Sequence, residues 1–184
     1  MEAVKYSSSI TASKSDWSGE IQSYQQNYTN PVVVGQVMTA NDPRWSVFWA
    51  SSDERRDPPS ATVLSVGKNV AEDPDTVRAV ETIGYLVIES GSGTVDGFDF
   101  SAGVTDDIVR GVTESPPYVT NVNGQYSSGV VSSTGMDGAN GYWPVLYSVD
   151  PLANQQLDLG IDEDQVADAE RDHTWEQVAY FLLQ

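Results

Sequence analysis

The sequence predicts an all-β protein, an antiparallel β-sandwich that is internally duplicated. Two observations carry that reading. The apolar stretches are short, rich in Val, Ile, Thr and aromatic residues, and set apart by Gly, Pro, Asn and Asp, with little helical periodicity. A common order of such stretches also occurs twice, its copies closing on ETIGYLVIE (81–89) and EQVAYFLLQ (176–184). At 184 residues the chain is long enough to bury a sizeable core as one large domain or two small ones.

In order along the chain, residues 1–27 are polar and alternate in VKYSSSITAS and IQSYQQNY, which suits an N-terminal arm or edge strands. Asn30-Pro31 marks a turn, and Val32 to Thr39 follows as a buried strand. Trp45 to Trp49 reads as a strand with Trp45, Val47 and Trp49 on one face. SSDERRDPPS (51–60) is expected to be a solvated loop, and ATVLSV (61–66) the next strand. After an acidic connection, Thr82 to Ile88 is so continuously apolar that it should be buried on both faces or central in its sheet. The glycines at 91, 93 and 97 lack a following helix and a lysine, so they predict a hairpin or linker rather than a phosphate cradle. Short strands follow at 98–100 and 108–112, and Glu114-Ser115-Pro116-Pro117 is the expected boundary between halves.

Internal repetition supplies the second half. A slide of 98 residues pairs Tyr28 with Tyr126, Val32 with Val130, Val33 with Val131, Met38 with Met136, Trp45 with Trp143 and Val47 with Val145. Chance gives about one or two identities over such a span. A slide of 95 pairs Asp73 with Asp168, Glu81 with Glu176 and Tyr85 with Tyr180. The predicted units are 28–113 and 114–184, the second with strands at 128–134, 142–149, 155–159 and 176–183.

The order PVVVGQV, WSVFW, ETIGYLVIE resembles a β-sandwich module of large secreted, cell-surface and virion proteins, and is more distantly similar to the jelly-roll-like H-type lectin domain. GMDGANGYW and IDEDQVADAERDHTWEQVAYFLL are similar to the partner half of such modules, and together the resemblance spans residues 28–184. The lectin resemblance implies a six-stranded sandwich, trimer formation and sugar binding between subunits.

Charge excludes several functions. Acidic residues number 27 against 9 basic, a formal net charge of −18, and such a surface repels nucleic acid and anionic membranes. The acidity, with few lysines, fits a protein kept hydrated in brine, which points to a halophilic, haloarchaeal or haloarchaeal-virus character. No cysteine is present, so disulfides, thiolate metal sites and cysteine nucleophiles are excluded. The first residues, MEAVKYSSSITASKSDW, have no apolar core of a secretory signal. Outside a cell, the chain is then either a mature fragment or one exported by another route, release within a virus particle being one. No apolar run of 18 residues exists, so membrane insertion is not expected.

For chemistry, the lone His173 has no G-x-S-x-G elbow to serve and reads as structural. Glu81 and Glu176, each opening a buried strand, are expected to accept backbone or arginine hydrogen bonds, with Arg78 and Arg171 near in sequence. Trp45, Tyr142 and Trp143, beside Asn41, Asp42 and Asn140, form the candidate surface for a sugar or protein partner, against core packing as the alternative. Asp162, Glu163 and Asp164 are oxygen-rich enough for Ca²⁺ or another cation but lack EF-hand spacing, the alternative being a solvated acidic loop. No other cofactor is expected.

These readings converge on a non-enzymatic structural or attachment protein of an extracellular assembly. Its most concrete form is a virion surface, capsid-decoration or tail-fibre component of a halophilic host's virus. The alternative is a secreted, carbohydrate-binding adhesion module. Expected partners are protein neighbours in a homo- or hetero-oligomer and a surface glycan.

Overall fold

The computed structural model describes residues 1–13 and 16–184. Its strands are β1 (Glu2–Ser8), β2 (Glu20–Gln22), β3 (Pro31–Val37), β4 (Val47–Ser51), β5 (Leu64–Asn69), β6 (Glu81–Glu89), β7 (Gly91–Val95), β8 (Phe98–Val104), β9 (Tyr118–Asn121), β10 (Ser128–Thr134), β11 (Tyr142–Leu146), β12 (Gln156–Glu163) and β13 (Val178–Leu183). The one helical element among the described residues is a 3₁₀ turn at Ala153–Gln155. The protein is all-β, as the short β-branched runs predict.

Strand pairing gives a sheet β1-β6-β3, a sheet β11-β12-β9, and between them a seven-stranded sheet β2-β5-β4-β10-β13-β8-β7. All strand pairs are antiparallel except β4 with β10, where Trp49 and Ala50 run parallel to Ser133 and Thr134. The order β1-β6-β3 over β2-β5-β4 therefore recurs as β8-β13-β10 over β9-β12-β11. Pairing divides the chain differently from the predicted units. β1 and β2, within residues 1–27, complete the first set, and β8, from the segment 28–113, pairs β13.

Three apolar cores result. Val33, Ile83, Tyr85 and Val87 meet Phe48, Ala50, Leu64 and Val66 inside the first sandwich. Val178 and Leu182 meet Tyr142, Leu157, Leu159 and Ile161 inside the second, where Trp49 joins them. Between the two, Val32, Val34 and Ile88 pack on Ala102, Ala179 and Phe181. β6 and β13 are the middle strands of their pairs of neighbours and feed alternate side chains to two cores each, which is why both read as continuous apolar runs. Tyrosines cross the first sandwich: Tyr6 Oη donates to Val66 O at 2.8 Å and Tyr24 Oη to Ser60 O at 2.7 Å.

Four local expectations shift. β4 starts at Val47, leaving Trp45 before the strand, and both Phe48 and Trp49 are buried on opposite faces. β5 begins at Leu64 and continues through Lys68 and Asn69, both fully buried; Lys68 Nζ donates to Ala79 O at 2.6 Å, so the polar end of the strand is satisfied inside. The 51–60 loop is docked rather than free. Arg55 donates to the carbonyls of Met136 (2.8 Å) and Gly138 (2.7 Å) and lies over the Trp17 ring. Residues 114–117 connect β8 to β9 within the second sandwich. The glycine-rich stretch is a hairpin, as predicted: Asp96 (φ 49°) and Gly97 (φ 87°) supply the two left-handed residues of a tight turn between β7 and β8.

Candidate functional site

Equivalent ends of the two sandwiches carry buried charge. In the first, Glu81 opens β6 and its carboxylate gathers the loop after β3, accepting Thr39 Oγ1 at 2.5 Å, Asn41 N at 3.1 Å and Asp42 N at 2.8 Å. In the second, Glu176 accepts Asp137 N at 2.9 Å and Gly138 N at 2.8 Å from the loop after β10. Both glutamates thus satisfy amides that the turn leaves unpaired. The arginines act elsewhere: Arg78 pairs with Asp73 at 2.6 Å, and Arg171 grips Asp162 at 2.7 and 2.6 Å.

The second end holds an additional group. His173 Nδ1 lies 2.8 Å from Glu163 Oε2 and its Nε2 2.9 Å from Glu176 Oε1, with all three side chains no more than 3% exposed. Ionised carboxylate oxygens only accept, so both ring nitrogens donate and the ring is the imidazolium. Burial opposes that charge, but the hydrogen bonds to Glu163 and Glu176 outweigh it and carry the His173 pKa up to about 9. Burial pushes the Glu163 carboxyl up, with His173 holding it back. The ring is walled by Tyr142, 5.2 Å away, and by Gly138, where a Cβ would fall 2.7 Å from the imidazole. The structural reading of His173 fits this enclosure.

The sequence-derived surface residues separate. Trp45 and Trp143 meet edge to face, with ring centroids 6.0 Å apart and planes at 67°, and Trp45 remains 36% exposed. Tyr142 is fully buried; its hydroxyl donates to Gln177 O at 2.8 Å and accepts Thr134 N, so it belongs to the core. Asn41 Nδ2 donates to Val80 O, while Asp42 accepts Arg44 and the Ala79 amide. Asn140 is half-buried. Beside Trp143, a cleft of about 240 Å³ is lined by Gln36, Ser46, Ser132 and Ser133 instead.

The expected cation site is not assembled. Along β12 the pleat sends Asp162 to Arg171 and Glu163 to His173, while Asp164 accepts the amides of Glu72 and Val166. Among the described residues no group of three His, Asp or Glu side chains is arranged to hold a metal ion.

A larger feature escaped the sequence. A groove of about 570 Å³ crosses the outer side of β1, β6 and β3, floored by Val34, Gly84 and Leu86 and bordered by Met38, Val130 and Lys5. Met38 and Val130 stand 52% and 51% exposed. Gly84 makes room for Met38, whose Sδ lies 2.2 Å from where a Cβ would sit. Comparison with family models, curated proteins and solved structures finds no match for this chain.

Proposed function

We propose that the protein is a non-enzymatic structural or attachment component of an extracellular assembly that works in salty water. The observation that carries this is the groove under Met38 and Val130. It places contiguous apolar surface on a chain of net charge −18, and such patches mark interaction surfaces. Concentrated salt screens the repulsion between acidic copies to a few Å and strengthens apolar burial when the anion is kosmotropic. Charge and groove then act in the same direction, keeping monomers soluble while leaving one contact that salt favours. The most concrete form is a virion surface, capsid-decoration or tail-fibre protein of a halophilic host's virus.

Sedimentation velocity over a range of protein concentrations tests the reading. In concentrated salt the chain is expected to associate, and Val130→Asp to weaken that association by about tenfold or more, because an unpaired carboxylate is then buried in the contact. A wild-type protein that stays monomeric at every salt and protein concentration would sink it.

A second reading, a secreted lectin-like module, is favoured by the Trp45 and Trp143 contact. An indole face beside the amide of Gln36 and the hydroxyl of Ser46 suits a sugar ring, which stacks on one side and hydrogen-bonds on the other. Glycan-array binding that drops at least about tenfold in Trp143→Ala is the expected result. Binding that is absent, or indifferent to the substitution, removes this reading.

A further inference from the structure

The groove needs an occupant, and the chain itself carries a fitting one. The β7 and β8 hairpin ends in Val95-Asp96-Gly97-Phe98-Asp99. Phe98 is 58% exposed, and a carboxylate lies on either side of it in sequence. A single exposed apolar residue is ordinary on any surface. Here, though, the tip and the groove match in chemistry. The groove is apolar except for Gln36 and Lys5, and Lys5 is the one charged residue in its lining. The tip presents an aromatic ring with Asp96 and Asp99 as its only charges. Phe98 is the most exposed aromatic ring among the described residues: Trp175 is covered by the Arg110 guanidinium at 4.9 Å, Trp45 packs on Trp143, Tyr147 is 37% exposed, and Val149, Val77 and Ile21 are aliphatic.

We propose that the Phe98 hairpin tip of one copy inserts into the groove of a second copy, its ring on Leu86, Met38 and Val130 and the Asp96 carboxylate of the turn toward Lys5. The proposal rests on the assembly reading above and names the partner in it. Tip and groove share no residue, so the contact joins different surfaces of the two copies. Such heterologous contacts propagate into rings or open filaments rather than stopping at a dimer. In concentrated salt the ion pair to Lys5 is weak and the apolar insertion dominates, so salt promotes the contact. One hairpin tip buries little area, which places the affinity at the weak, concentration-dependent end.

The experiment uses sedimentation velocity of the full chain in concentrated salt. Wild type is expected to grow past the dimer as concentration rises. Phe98→Asp, which keeps its groove, and Val130→Asp, which keeps its tip, are each expected to associate at least about tenfold more weakly. Mixed in equal amounts they are expected to restore association but stop at the dimer, because each mixed pair has one intact tip facing one intact groove. Circular dichroism confirms that the variants fold, and Met38→Asp on the exposed rim replaces Val130→Asp should that strand variant not fold. Phe98→Asp associating like wild type while the groove variant does not would overturn the proposal and leave the assembly reading standing. A mixture that stays monomeric also overturns it, and a monomeric wild type overturns both.

Discussion

His173→Leu is expected to destabilise the fold by about 3–5 kcal/mol, the cost of breaking a buried ion pair by removing one partner. Among the described residues the imidazolium is the one cation in hydrogen-bond contact with Glu163 and Glu176, and leucine leaves two carboxylates buried against an apolar side chain. Chemical denaturation of wild type and variant at pH 6 measures the loss; a difference below about 1 kcal/mol would mean that the cluster is not charged as described. The pH dependence has a definite sign. The folded His173 pKa, about 9, lies above its usual 6.5, so its contribution is full below about 6.5 and lost as pH rises through 9. Glu163, also raised, has the same sign in a window that starts lower, at its unfolded carboxylate value, so the decline above pH 6.5 is carried by His173. The groups facing the ring from the packed elements are Glu163, Glu176, Tyr142 and, at its backbone, Glu114. Wild type should therefore melt at lower temperature at pH 9.5 than at pH 6.5, and the leucine variant should show a shallower decline.

Glu81→Leu is expected to cost about 3 kcal/mol or more. It orphans the amides of Asn41 and Asp42 and the Thr39 hydroxyl, and removes a carboxylate whose field acts on buried Lys68. Burial pushes the Glu81 pKa up, but the Thr39 hydroxyl, the two amides and Lys68 together bring it below its usual value. Its contribution is thus present above the unfolded value of about 4.3 and lost as pH falls through the folded one. Adding Lys68→Met should recover part of the loss if the carboxylate and ammonium are coupled, so a double-mutant cycle decides the matter. Strict additivity would show that Glu81 acts through the loop amides alone.

The sequence exposed the middle strands most clearly, because β6 and β13 bury both faces and so carry no polar alternation to confuse them. Glu81 and Glu176, matched at a slide of 95, hold the same kind of loop. The same slide sets Lys68 on Glu163 and Arg78 on His173, which was the available signal for the buried cluster. Identities at a slide of 98 misled. Val32 is buried at 1% exposure while Val130 is open, and Met136 is fully buried while Met38 is open. Val37 pairs with Ile83 and Ser133 with Val178, so the register relates β3 to β10 by 96 rather than 98. A two-residue slip keeps every side chain on its own face, so alternation could not reveal it. The groove was illegible for a different reason: Lys5, Met38, Gly84 and Val130 are far apart in the chain, and each is unremarkable alone.

The seven-stranded sheet also imposes an order of events during synthesis. β4 finds its parallel neighbour only when Ser133 and Thr134 have emerged, and β8 has no antiparallel partner on its inner side until Val178 to Leu183 arrive. Contacts of such sequence separation form slowly, and a chain made from its N-terminus holds β8 and β10 apart until then. β13, made after the twelve strands before it, is the one that closes the fold. Until it does, Ala102 and the β8 edge stay uncovered, and the acidity that solvates the finished protein is then also what keeps the unfinished one from aggregating.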